Sequence, residues 1–169
     1  PVLDVNNNAR NPVINVRSFG ESPEMVARMG ISFVEGVQDH GALATGKHFP
    51  GHGDTETDSH VRLPVIPVSS ERLESVELYP FRRAVRAGMG AVMTAHVAVP
   101  ELTGSRDLPA TLSEPVLTDL LRRDMGFDGL VFTDAMDMQA VTRRFPRGEA
   151  SVRAVEAGAD VVLMPLSVE

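Results

Sequence analysis

The chain has 169 residues, 16 Lys and Arg against 23 Asp and Glu, no Cys and no Trp, with 43% hydrophobic residues. These fractions suit an ordinary globular protein with a buried core, and they exclude a chain too polar to fold. A net charge of −7 has the wrong sign for a nucleic-acid grip, the absence of Cys excludes a disulfide scaffold and a thiolate metal site, and no apolar run reaches the roughly 18–20 residues of a membrane span.

Short apolar runs alternate with segments of helical period. Val2–Val5 reads as a first strand. Ser22–Val37 follows as a helix, with Ser22 as N-cap, Pro23 in the first position, and Met25, Met29 and Phe33 as the core-facing stripe. Ala42–Thr45 reads as the second strand, and Ser70–Ala87 as a helical stretch that breaks or restarts at Pro80. Ala91–His96 is the third strand. Ser113–Met125 repeats the helical plan: Ser113 caps, Val116, Leu117, Leu120 and Leu121 share a face, and Gly126 ends it. Gly129–Asp134, a short helix Glu149–Ala157 closed by Gly158, and Asp160–Pro165 complete the series.

Strands with so little alternation are buried on both faces, which predicts an α/β chain with a parallel sheet covered by helices. Neither a Gly-x-Gly-x-x-Gly turn nor a Walker loop is present, so the nucleotide-binding forms of this plan lose their support. A (β/α)8 barrel takes about 31 residues per unit, so the length corresponds to roughly five units. The expectation is an open sheet or an incomplete piece of a TIM-type barrel, entered in mid-fold at Pro1.

The stretch from Lys47 to Ser69 is far longer than an ordinary connection between strand and helix, and such loops are usually functional or disordered. It gathers His48, His52 and His60 with Asp54, Glu56 and Asp58. In an extended segment residues i and i+2 point the same way, so Asp58 can hold one nitrogen of His60 and leave the other free for proton transfer. A solvated turn is the competing reading of that pair. Asp134 ends an apolar strand, where α/β enzymes place catalytic groups; the alternative is a helix cap, and Asp137 is a weaker candidate. Arg17, in the loop after the first strand, and Lys47 and His48, at the end of the second, are donors able to clamp hydroxyls or an anion. His96 is read as a packed histidine. His48, His52, Asp54, Asp58 and His60 also offer enough donors for a Zn, Mn or Fe site in a rival, metal-dependent hydrolase. A non-catalytic binding module keeping Arg17, Lys47 and His48 is a third reading.

Lys47-His48-Phe49-Pro50-Gly51-His52-Gly53 followed by Asp58-Ser59-His60 resembles the signature of the β-N-acetylglucosaminidases of glycoside hydrolase family 3. Pro1–Asn6, Asn11–Gly20, Ala91–His96 and Gly126–Met138 resemble further blocks of that family, in the same order. The resemblance implies part of an N-terminal catalytic barrel, retaining hydrolysis of terminal β-linked N-acetylglucosamine, and a bacterial role in cell-wall recycling; the compartment, bacterial cytoplasm or cell envelope, stays open. By position it implies Asp134 as nucleophile, His60 as acid/base with Asp58 as its partner, and Arg17, Lys47 and His48 as sugar contacts. The Asp58–His60 pair separates this subgroup from the family's β-glucosidases. No metal or organic cofactor is implied, and the remainder of a barrel polypeptide is expected to complete the fold and add an acidic and a basic sugar contact. The 169-residue piece alone is expected to be inactive or poorly folded.

Overall fold

The computed structural model describes residues 1–146 and 148–165. Its centre is a parallel sheet of three strands in chain order, β1 (Thr45–Phe49), β2 (Ala91–Thr94) and β3 (Leu130–Phe132). Two further segments extend it by single bridges: Val2 pairs with Lys47 on one side, and Val161 pairs with Phe132 on the other. Five parallel segments therefore lie side by side in sequence order, without the reversal that marks a doubly wound sheet. The first and fifth expected strands are each reduced to a single bridge.

The second strand lies three residues later than its composition suggests. Ala42–Thr45 is the more apolar run, yet pairing occupies Thr45–Phe49, with a register shift between Lys47 and Phe49 opposite Met93 and Thr94. Lys47 and His48 thus belong to the strand, and the long loop begins after them. The Lys47–His48 and Phe49–Pro50 peptide bonds are cis.

Helix Pro23–Gln38 begins as expected, with the Ser22 hydroxyl accepting from the Met25 N–H at 3.3 Å and Pro23 in the first turn. Its buried face, however, is Val26, Ala27, Gly30 and Val34. Met25, Met29 and Phe33 are 45%, 45% and 49% exposed, so the expected stripe is corrected by one position. The small residues win the inner face because the helix lies close against the first segment: a Cβ on Gly30 would collide with the Leu3 side chain.

Helical winding restarts around Pro80 as expected. Ser70–Arg72 runs into a wider π-type turn, Leu73–Glu77, and a new helix, Tyr79–Arg86, carries Pro80 in its first turn. Phe81 from that helix meets Phe49 edge to face, with ring centroids 5.3 Å apart, and both rings are fully buried. Burial of each contributes about 2–3 kcal/mol. Pro115–Asp124 winds with the same wide pitch and buries Val116, Leu117 and Leu121, with Leu120 packed against them. The Ser113 hydroxyl does not cap it; that oxygen is buried without a partner among the described residues. Gly126 and Gly158 end their helices at positive φ, as read. No helix among the described residues is long and apolar enough to cross a membrane.

Candidate active site

The C-terminal ends of the parallel segments converge on a cleft of about 230 Å³, lined by Arg17, Lys47, His48, His52, His60 and Asp134 with Val13, Ser59 and Met93. Wider hollows of about 370 and 410 Å³ open on the helical surface, but they do not bring a histidine to a carboxylate. Of the residues singled out from the sequence for catalysis or sugar contact, Arg17, Lys47, His48, His60 and Asp134 line this cleft, Asp58 holds His60 from behind, and the weaker candidate Asp137 does not line it.

The Asp58–His60 pair forms as the i, i+2 spacing requires. His60 donates from its backbone N–H (2.8 Å) and its ring Nδ1 (2.7 Å) to the same Asp58 oxygen. Burial pushes the Asp58 carboxyl up, but the bonds from His60 outweigh it and hold the group below the ordinary range, so it is ionised at neutral pH. The turn behind it is closed by the Val61 and Arg62 N–H groups donating to the Asp58 carbonyl. The loop is then pinned across the sheet. The N–H groups of Gln139 and Ala140, which open helix Gln139–Thr142 beyond Asp134, reach the carbonyls of His60 and Ser59 at 3.4 and 3.3 Å. A residue 74 positions before Asp134 is thereby delivered to the same cleft.

Asp134 follows β3, and its Oδ1 accepts from the N–H of Ala135 at 2.8 Å. It caps no helix, since the next one starts only at Gln139. Asp137 is exposed. His96 is packed, as read: it is fully buried between Thr111 (2.9 Å) and the Ala135 carbonyl (3.0 Å), and burial pushes its imidazole down. It therefore steadies the turn that carries Asp134.

Three organising residues escaped the sequence reading. Asp4, fully buried, accepts from the His48 ring, the His48 backbone and the His52 backbone. Asn11, also buried, donates its amide hydrogens to the carbonyls of His52 and Gly53, at 2.8 and 2.9 Å, and its oxygen accepts from the N–H groups of Val13 and Ile14. Arg72 reaches Asp54 and Glu77, each at 3.1 Å, and so ties the loop to the helical segment below. Gly53 lies so close to the Val5 carbonyl that a side chain there would collide with it. The signal for Asp4 was present: a carboxylate inside an apolar strand is buried only when it has partners.

The metal-site alternative requires donors that converge, and these do not. His52 uses both ring nitrogens, on Thr55 and Ser59, while His48 is bound to Asp4 and Asp54 to Arg72. Among the described residues no three His, Asp or Glu side chains are placed to hold a cation.

Residues 1–169 match the profile of the Glycosyl hydrolase family 3 N terminal domain. The chain belongs to glycoside hydrolase family 3. Over 96% of its length it superimposes on a family 3 β-N-acetylglucosaminidase from Paenibacillus sp. str. FPU-7, with 54% identity and a TM-score of 0.94, covering 31% of that chain. It is 39% identical to Beta-hexosaminidase A of Pseudoalteromonas piscicida over 99% of its own length and 30% of that protein. With a Beta-hexosaminidase of Neisseria meningitidis serogroup C it shares 43% identity over 97% of the chain and 44% of the relative. The chain thus spans less than half the length of these relatives. The parallel segments in sequence order are a part of the family's TIM-type (β/α)8 barrel.

Proposed function

We propose that residues 1–169 form part of the catalytic barrel domain of a retaining exo-β-N-acetylglucosaminidase, acting on cell-wall muropeptides or chitooligosaccharides. The observation that carries this reading is the hydrogen-bonded Asp58–His60 pair opening on the cleft that Asp134 lines. The names of the relatives supply the sugar.

In the first step Asp134 attacks the anomeric carbon while His60 gives its Nε2 proton to the departing glycosidic oxygen. A covalent glycosyl-enzyme forms and the aglycone leaves as an alcohol. His60, now neutral, takes a proton from water as that water attacks the same carbon, which frees Asp134 and releases the sugar with retained configuration. The usual pair of carboxylates is here one carboxylate and one histidine. Asp58 keeps the ring oriented through its Nδ1 and stabilises the imidazolium. Arg17, Lys47 and His48 hold the sugar's hydroxyls. The residues need no metal or organic cofactor for these steps.

Completion of the wall by the rest of the polypeptide is supported by two exposed apolar faces at opposite ends of the sheet. Met25, Met29 and Phe33 lie on the helix next to the Val2 edge, and Val152 and Val155 on the helix before the Val161 edge. In a closed barrel both faces meet neighbouring units.

The test is trapping of the full-length chain with a fluorinated N-acetylglucosaminide that forms its glycosyl-enzyme faster than it loses it. Mass spectrometry is expected to find one sugar on the peptide bearing Asp134. Turnover of natural substrates without any adduct, and with inverted product, contradicts the reading.

A further inference from the structure

Asp4 receives only donors. Its Oδ2 lies 2.7 Å from the His48 ring Nδ1, its Oδ1 lies 2.7 Å from the His52 N–H, and both oxygens lie 3.2 Å from the His48 N–H. The side chain is completely buried and makes no ion pair with Lys or Arg among the described residues. Burial pushes its carboxyl up, but His48 and His52 outweigh that and hold it below the ordinary range. An ionised carboxylate can only accept, so the proton between Asp4 and His48 sits on Nδ1. The far nitrogen, Nε2, points toward the cleft, 3.5 Å from a guanidinium nitrogen of Arg17. That group carries only hydrogens, so a proton on Nε2 would face another donor.

We propose that Asp4 is a positioning residue that fixes His48 as the Nδ1–H tautomer, so that His48 enters the sugar site as a hydrogen-bond acceptor and selects a substrate hydroxyl able to donate. Arg17 and Lys47, which also line the cleft, are donors only. A hydroxyl placed among the three can accept from a cation and donate to His48, using both of its capacities. An ether, a halide or a bare carbon at that position cannot donate, and leaves Nε2 only the long 3.5 Å contact with Arg17. This inference rests on the proposed reading of Arg17, Lys47 and His48 as sugar contacts.

Two measurements on the full-length chain test it. In the first, nitrogen-15 spectra of histidine-labelled protein, with His48 assigned through its own substitution, read the tautomer directly. A protonated Nδ1 and an unprotonated Nε2 are expected; the opposite tautomer, or protons on both, overturns the proposal. In the second, kcat/KM is compared for N-acetylglucosaminides made deoxy and deoxyfluoro at each hydroxyl in turn. Fluorine accepts weakly and cannot donate, so at the hydroxyl that meets His48 both analogues are expected to fall together, by roughly ten- to a hundred-fold. Recovery of activity by fluorine at every position overturns the acceptor role.

Asp4→Asn adds a readout that a purely structural role would not move. Its amide would turn hydrogens toward donors, and KM is expected to rise more than kcat falls, because Asp134 and His60 do not touch Asp4. An equal fall in kcat and kcat/KM contradicts the assignment. Should that variant not fold, the wild-type spectrum and the fluoro series decide. Should the protein hydrolyse no N-acetylglucosaminide, the functional reading fails, and the spectrum alone still decides what Asp4 does to His48.

Discussion

Asp4–His48 and Asp58–His60 close the same 2.7 Å bond from an imidazole Nδ1 to a carboxylate, yet in opposite surroundings. The first pair leaves 6% of the histidine and none of the aspartate exposed; the second leaves 64% and 39%. The buried pair joins residues 44 apart and is locked by backbone donors, so it defines a fixed wall. The exposed pair joins residues two apart on a loop tip, where the ring can exchange protons with water and still be oriented. On the proposed reading, one pair of residue types serves as brace or as proton carrier according to burial.

The proposed mechanism puts the chemistry outside the brace, and the largest expected effect follows from that. Asp134→Asn is expected to lower kcat by roughly 10⁴-fold or more while leaving the melting temperature nearly unchanged. Comparable turnover in that variant would remove the nucleophile from the account.

Asp4→Asn sharpens the contrast through stability. Breaking one side of a buried, fully engaged pair is expected to cost about 3 kcal/mol in urea unfolding at neutral pH. The Asp4 carboxyl is lowered in the folded protein, so its contribution is complete above the ordinary aspartate value of about 3.9. It is lost as pH falls through the lowered value, and the gap between wild type and variant should close there. A gap that widens toward acid contradicts the assignment.

Asp58→Asn should do the reverse. An exposed pair contributes under about 1 kcal/mol to stability, so unfolding should barely change. Loss of the charge behind the imidazolium should still reduce kcat/KM by roughly ten- to a hundred-fold, measured on substrates with poor leaving groups.

Glu77 tests the rule from a third side. It is buried, one of its oxygens has no partner among the described residues, and burial pushes its carboxyl up despite Arg72. Its ionised form therefore works against folding: stability is highest below the ordinary glutamate range and falls as pH rises through the raised value. Glu77→Gln is expected to match or slightly exceed wild type at neutral pH, and the difference should vanish in acid. A variant clearly weaker at neutral pH would show that the Arg72 contact outweighs the unpartnered oxygen.

What the sequence revealed divides along the same line. Asp58 and His60 are legible because their relation is local, and Asp134 because it ends an apolar strand. Asp4 and Asn11 were missed because their partners lie more than 40 residues away and meet them only after folding. The five parallel segments were legible in number and order, but β1 was misplaced because Lys47 and His48 look like loop residues; they are polar since they face the cleft. The helix Pro23–Gln38 carries apolar residues on two adjacent faces, and size pointed to Met25, Met29 and Phe33. Close approach to Leu3 favoured the smaller Ala27 and Gly30 instead.

The central claim, that the exposed pair is the proton carrier, is tested most directly by a leaving-group series on His60→Ala. The account predicts a loss of roughly 10²–10⁴-fold for aglycones that need protonation, shrinking toward wild type for those that leave unaided. An equal loss across the whole series would contradict it.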